Sequence, residues 1–75
     1  MRKPTAELLG ALQRAELSWI QTRKDACLFE AIFEGEHIQI RLNDFPDEPI
    51  LTVIIRDEEI DLEETPRKWR LITSD

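Results

Sequence analysis

The stretch from Ala26 to Leu42, ACLFEAIFEGEHIQIRL, constrains the fold more than any other part of the chain. It reads as a β-hairpin folded at Glu34-Gly35-Glu36. Apolar residues fall on the odd positions of the first arm (Cys27, Phe29, Ala31, Phe33) and the even positions of the second (Ile38, Ile40, Leu42). Side chains alternate faces along a strand, and directly opposed residues share a face. Both apolar sets reach one face only if odd pairs with even, which a loop of two or four residues achieves and a loop of three does not. With Gly35-Glu36 as a type II′ turn, Phe33 faces Ile38, Ala31 faces Ile40 and Phe29 faces Leu42. Glu30 then opposes Arg41 on the other face, a pair worth roughly 0.2–1 kcal/mol that favours this register over the one shifted by two. A four-residue loop from Glu34 to His37 keeps the same inward pairs.

Around this hairpin the rest of the chain falls into place. Residues 5 to 16 carry Leu8, Leu12 and Ala15 at helical spacing, with Leu9 widening the stripe. Pro4 suits a helix start, Thr5 is the expected cap, and Gly10 offers close approach to a sheet. Leu17 to Thr22 reads as a short strand, with either Trp19 or Ile20 pointing inward. Asn43 to Pro49 is a loop, in which Phe45 is expected to plug one end of the core. Ile50 to Arg56 is apolar on both faces and reads as an inner strand. Glu59 to Leu62 offers an acidic edge strand. The tail from Thr65 to Ile72 starts like a capped helix but is short, so one helical turn or irregular structure is expected, with Trp69 and Ile72 docking on the sheet.

The expected fold is therefore α+β: one N-terminal helix packed on one face of an antiparallel meander of about four strands, five if Glu59–Leu62 pairs, in a single domain covering residues 1–75. The inward face carries Phe29, Phe33, Ile38, Ile40, Leu42, Val53 and Ile55.

Composition narrows function mainly by exclusion. The net charge is −6 at pH 7, which disfavours nucleic acid and anionic membrane surfaces and suits a basic protein partner. One cysteine cannot form an internal disulfide, and no apolar run has the length of a signal or a membrane span. The chain, which begins at Met1, is accordingly expected to be a complete cytoplasmic protein. One histidine and one cysteine cannot build a zinc site, and two glycines leave no glycine-rich phosphate loop.

Three constellations invite chemistry. Cys27 and His37 suggest a nucleophile and a base, but the hairpin places them near opposite ends of the ladder and on opposite faces, so Cys27 reads as a small buried apolar residue. The run Asp57-Glu58-Glu59-Ile60-Asp61-Leu62-Glu63-Glu64 lacks the glycine and spacing of a calcium loop. It reads as a solvated edge or as a docking strip for a basic partner. Trp69 among Arg67, Lys68 and Arg70 resembles base-stacking chemistry, though a tryptophan covering the sheet explains it as well.

No cofactor, metal or catalytic residue is expected. The leading functional expectation is a small non-catalytic interaction protein. It would bind a basic protein surface, or a second copy of itself as a homodimer, through Leu28, Ile32, Ile54, Asp57, Glu58, Glu59, Asp61 and Trp69. Leu28, Ile32, Ile50 and Ile54 form a second apolar face that one helix cannot cover. The alternative is a ligand-binding or enzymatic subunit using the acids near Asp44, Asp47 and Asp57.

Overall fold

The N-terminal helix and the hairpin both form, but the sheet they share is wider than the meander. The computed structural model describes residues 4–73. Helix α1 (Thr5–Arg14) is followed by strands β1 (Leu17–Arg23), β2 (Leu28–Phe33), β3 (Glu36–Leu42), β4 (Leu51–Ile55), β5 (Glu58–Leu62) and β6 (Trp69–Ile72). The strands lie in the order β5-β4-β3-β2-β1-β6. Neighbours from β1 to β5 are antiparallel, and β6 runs parallel to β1 with Leu17 beside Trp69 and Ile20 beside Ile72. The fold is thus α+β with a six-stranded mixed sheet, which corrects the expected four or five antiparallel strands.

The extra strand comes from the tail. Trp69 and Leu71 alternate with Arg70 and Ile72, a period of two that a short helical segment would waste. As a strand, the segment buries Trp69 against Trp19, ring centroids 4.9 Å apart and tilted by 56°. The Trp69 Nε1 also donates to the Leu12 carbonyl at 2.9 Å. One bond therefore joins β6 to the helix, and within this strand it is Trp69 that faces the helix side of the sheet.

Helix α1 buries Leu8 and Leu12 on that side, one helical turn apart. Its start differs from expectation. Pro4 occupies the N-cap position with no side-chain cap, its carbonyl accepting from the Leu8 amide at 2.9 Å, and Thr5 is already helical. Gly10 does not serve close packing either, since a Cβ there would meet only the end of Arg14, at 3.4 Å. Gly10→Ala is expected to stabilise the protein by about 0.5–1 kcal/mol, read as a rise in the urea midpoint at unchanged slope.

The hairpin keeps its faces and changes its register. Phe29 opposes Ile40, Ala31 opposes Ile38 and Ile32 opposes His37. This is the alternative shifted by two, with Leu28 opposite Arg41. The loop is Glu34-Gly35, both in the left-handed region with φ of 51° and 77°, a mirror-image turn whose twist matches the flanking strands. The Glu30–Arg41 pair is replaced by better partners for each: Glu30 meets His37 and Gln39, and Arg41 reaches Glu59 on β5 and Asn43. A shift of two leaves every side chain on its original face, so Phe29, Phe33, Ile38, Ile40, Leu42, Val53 and Ile55 remain with the core. Arg56-Asp57 makes a second two-residue turn, between β4 and β5, again with both φ positive (51° and 66°). The Arg56 guanidinium is clamped on Glu36, with Nε donating at 2.7 Å, and this contact raises the arginine pKa further.

Two single residues depart from expectation. Cys27 is exposed and sits at φ 52° in the β1–β2 connection, where its carbonyl accepts from the Leu42 amide at 3.1 Å. The backbone turns at Cys27 and leaves its side chain outside the core. Phe45 is 60% exposed on the β3–β4 loop and plugs nothing. In the core itself, the Trp19 Nε1 is buried without a hydrogen-bond partner among the described residues.

Candidate interaction face

Strand parity sends one set of residues to the side of the sheet opposite α1. In strand order these include Ile72, Ser18, Ile20, Leu28, Glu30 and Ile32, then His37, Gln39, Arg41, Thr52, Ile54, Glu59 and Asp61. No described helix lies over them, since α1 is the one helix among the described residues. The face divides into two halves with different chemistry.

On the β3–β4–β5 half, polar groups satisfy one another. The Thr52 hydroxyl, buried, donates to Asp61 Oδ1 at 2.9 Å and accepts from Asn43 Nδ2 at 2.9 Å. Asn43 Nδ2 also reaches the Pro49 carbonyl at 3.1 Å, and Arg41 Nε donates to Asn43 Oδ1 at 3.2 Å. This network ties the β3–β4 loop to the sheet. Ile54 lies half-buried within it, between Gln39 and Glu59.

On the β6–β1–β2 half, aliphatic side chains face solvent. Ile32 is 65% exposed, Ile20 49% and Ile72 44%. Ile72 stands beside Ile20 across the β6–β1 ladder, and Ile20 is opposite Glu30, one step diagonally from Ile32. Together they make an oblique band across three strands. Three of the four exposed large hydrophobic residues lie in this band, the fourth being Phe45. Ser18, Ile20, Glu30, Ile32 and His37 border a shallow depression along it.

Glu30 and His37 form the polar rim of the band, joined through Glu30 Oε1 and His37 Nε2. The Thr22 hydroxyl first, and then His37, hold the Glu30 carboxyl below the usual glutamate range. A carboxylate depressed in this way stabilises the folded state above the unfolded-state pKa. That contribution is lost as pH falls through the folded value. Glu30→Gln is expected to flatten the acid limb of stability, measured as urea midpoints from neutral pH downward.

The anticipated site residues separate in space. Leu28, Ile32, Ile54, Glu59 and Asp61 lie on the uncovered face. Asp57 and Glu58 lie at the β4–β5 turn. Trp69 lies in the core on the other side, 7% exposed, and is not part of any open surface. Asp44 and Asp47 sit on the loop before β4 and Asp57 on the turn after it, so the length of β4, roughly 17 Å, holds the two groups apart. The described residues contain no group of three or more histidine, cysteine or acidic side chains placed to hold a metal ion. Cys27 and His37 remain at opposite ends of the hairpin. No described helix is long and apolar enough to cross a membrane.

Sequence reasoning missed Ile20 and Ile72 as surface residues. Helical spacing puts Ile72 with Trp69, three positions away, whereas the strand puts the two on opposite faces. Alternation from Phe29 across the β1–β2 ladder, had the register been known, places Trp19 inward and Ile20 outward. Comparison with protein-family models, curated proteins and solved structures returned no match to this chain.

Proposed function

We propose that this chain is a small non-catalytic interaction protein that docks a protein partner on its uncovered sheet face. The observation that supports this reading is the band Ile72–Ile20–Ile32: aliphatic side chains in register on three adjacent strands, with no described element over them. Contiguous exposed apolar surface on a small protein costs solubility and is associated with binding sites. The partner's chemistry follows from what surrounds the band. Glu30 rims it, Glu59 and Asp61 lie farther along the same face, and the chain carries −6 overall. The partner is therefore a protein presenting an apolar patch flanked by basic side chains, drawn in by the opposite field and held by desolvation of the isoleucines.

The test uses a photo-crosslinking residue at position 20, with Ile32→Asp as the matched control. The expected result is a crosslinked basic protein, captured from native extract, that is absent with Ile32→Asp although the variant keeps its thermal midpoint. Equal capture by both proteins would remove the face from consideration.

A further inference from the structure

The sheet ends in two bare strands of opposite charge. At one edge, β5 carries Glu58, Glu59 and Asp61, with Asp57 before it and Glu63 and Glu64 after it. At the other, β6 carries Arg70, with Arg67 and Lys68 immediately before it. Four strands separate these edges. Of the other described cations on the strands and their turns, Arg23 pairs with Asp25, Arg41 with Glu59 and Arg56 with Glu36, while Lys24, in the β1–β2 turn, has no acidic partner among the described residues. Arg67, Lys68 and Arg70 pair with no carboxylate among the described residues. Arg14, at the C-terminal end of α1, borders one depression together with Arg67 and Lys68. Among the described residues of this chain of charge −6, positive charge without an acidic partner is therefore densest at the β6 end, where Arg67, Lys68 and Arg70 lie within four positions.

We infer that the β6 edge receives the β5 edge of a second copy of this chain, head to tail. Three observations converge on that occupant. First, among the described residues both edges are unpaired backbone, the usual template for adding a strand. Second, their charges complement each other. Like edges repel, β5 against β5 and β6 against β6, so charge selects the unlike pairing; at about 0.1 M salt, repulsion between net charges is screened beyond roughly 10 Å and contact charges dominate. Third, the directions agree. Successive antiparallel neighbours make β5 run the same way as β1, and β6 is parallel to β1. A copy added with its helix on the same side thus brings β5 alongside β6 in parallel, five residues against four, and the sheet continues from one molecule to the next. Such a contact is heterologous and propagates rather than closing as a two-fold dimer. One strand pair is a small interface, so the assembly is weak and reversible.

Sedimentation equilibrium over a wide range of protein concentration tests this. At about 0.1 M salt, where net-charge repulsion is screened beyond roughly 10 Å, the wild type is expected to grow in mean mass with concentration. At about 1 M salt, where the screening length is about 3 Å, the growth is expected to vanish. Lys68→Glu/Arg70→Glu and Glu58→Lys/Glu59→Lys, which the parallel pairing brings to the same end of the two strands, are each checked for an unchanged thermal transition and are expected to weaken association about tenfold or more. An equimolar mixture of the two is expected to regain it, because opposite edges again meet opposite charge. Ile32→Asp is expected to leave self-association unchanged. A wild type that stays monomeric at every concentration overturns the inference, as does a mixture that fails to recover. Association abolished by Ile32→Asp and indifferent to the edge variants also overturns it, and assigns self-association to the sheet face instead.

Discussion

Trp69→Ala is expected to cost about 3–5 kcal/mol, the usual penalty for removing a large buried aromatic. For a chain of 75 residues, total stability is on the order of 4–11 kcal/mol, so the variant is expected to sit close to its unfolding transition at room temperature. Several losses combine at this position. The ring leaves a cavity beside Trp19, the tilted pairing of the two indoles disappears, and the Leu12 carbonyl loses the Nε1 donor. Among the described strands β6 has only β1 as a neighbour, so without Trp69 the strand loses its main hold on the core. Trp69→Phe separates the contributions: it keeps most of the apolar contact and removes the hydrogen bond, and is expected to cost about 1–2 kcal/mol. Urea denaturation of the three proteins measures both. If Trp69→Ala unfolds at the wild-type midpoint, β6 does not hold the helix to the sheet.

Phe29→Ala is expected to cost a similar 3–5 kcal/mol, while Ile32→Ala, three residues along the same strand, is expected to change stability by no more than about 0.5 kcal/mol. Phe29 is buried opposite Ile40, in contact with the core that α1 closes. Ile32 projects from the other face, 65% exposed. The contrast tests the two-face assignment directly, since both residues belong to β2 and both are large and apolar. Comparable losses at the two positions would mean that something covers the face bearing Ile32.

Much of this arrangement was legible in the chain, and the exceptions share a physical cause. Parity in Ala26–Leu42 identified the core face because the side-chain period of a strand is fixed. The register within that parity was not legible. Gly35-Glu36 and Glu34-Gly35 are both workable two-residue turns, and a Glu30–Arg41 pair worth at most about 1 kcal/mol cannot choose between them when Arg41 has Glu59 and Asn43 as alternative partners. Those partners lie on other strands or beyond the hairpin. The same holds for the tail. Thr65-Pro66 looks locally like a helix start, and nothing within WRLI reveals that its neighbour is LSWI at the other end of the chain. Cys27 was misplaced because a left-handed backbone position at a non-glycine residue has no signature in residue type. The interaction face was half legible. Leu28, Ile32 and Ile54 followed from parity, whereas Ile20 and Ile72 depended on the β1–β6 pairing.

The parallel ladder between β1 and β6 also bears on how the chain reaches its fold. Leu17 and Trp69 are 52 positions apart and become adjacent. Loop-closure entropy opposes that contact, and non-local pairing slows folding. The five antiparallel strands are joined to neighbours by local turns and have no need to wait for it. During synthesis, Trp19 is without its aromatic neighbour until Trp69 has left the ribosome. The β1–β6 pairing thus waits on the emergence of Trp69, and a chain interrupted anywhere before it presents an uncovered β1 edge to whatever is nearby.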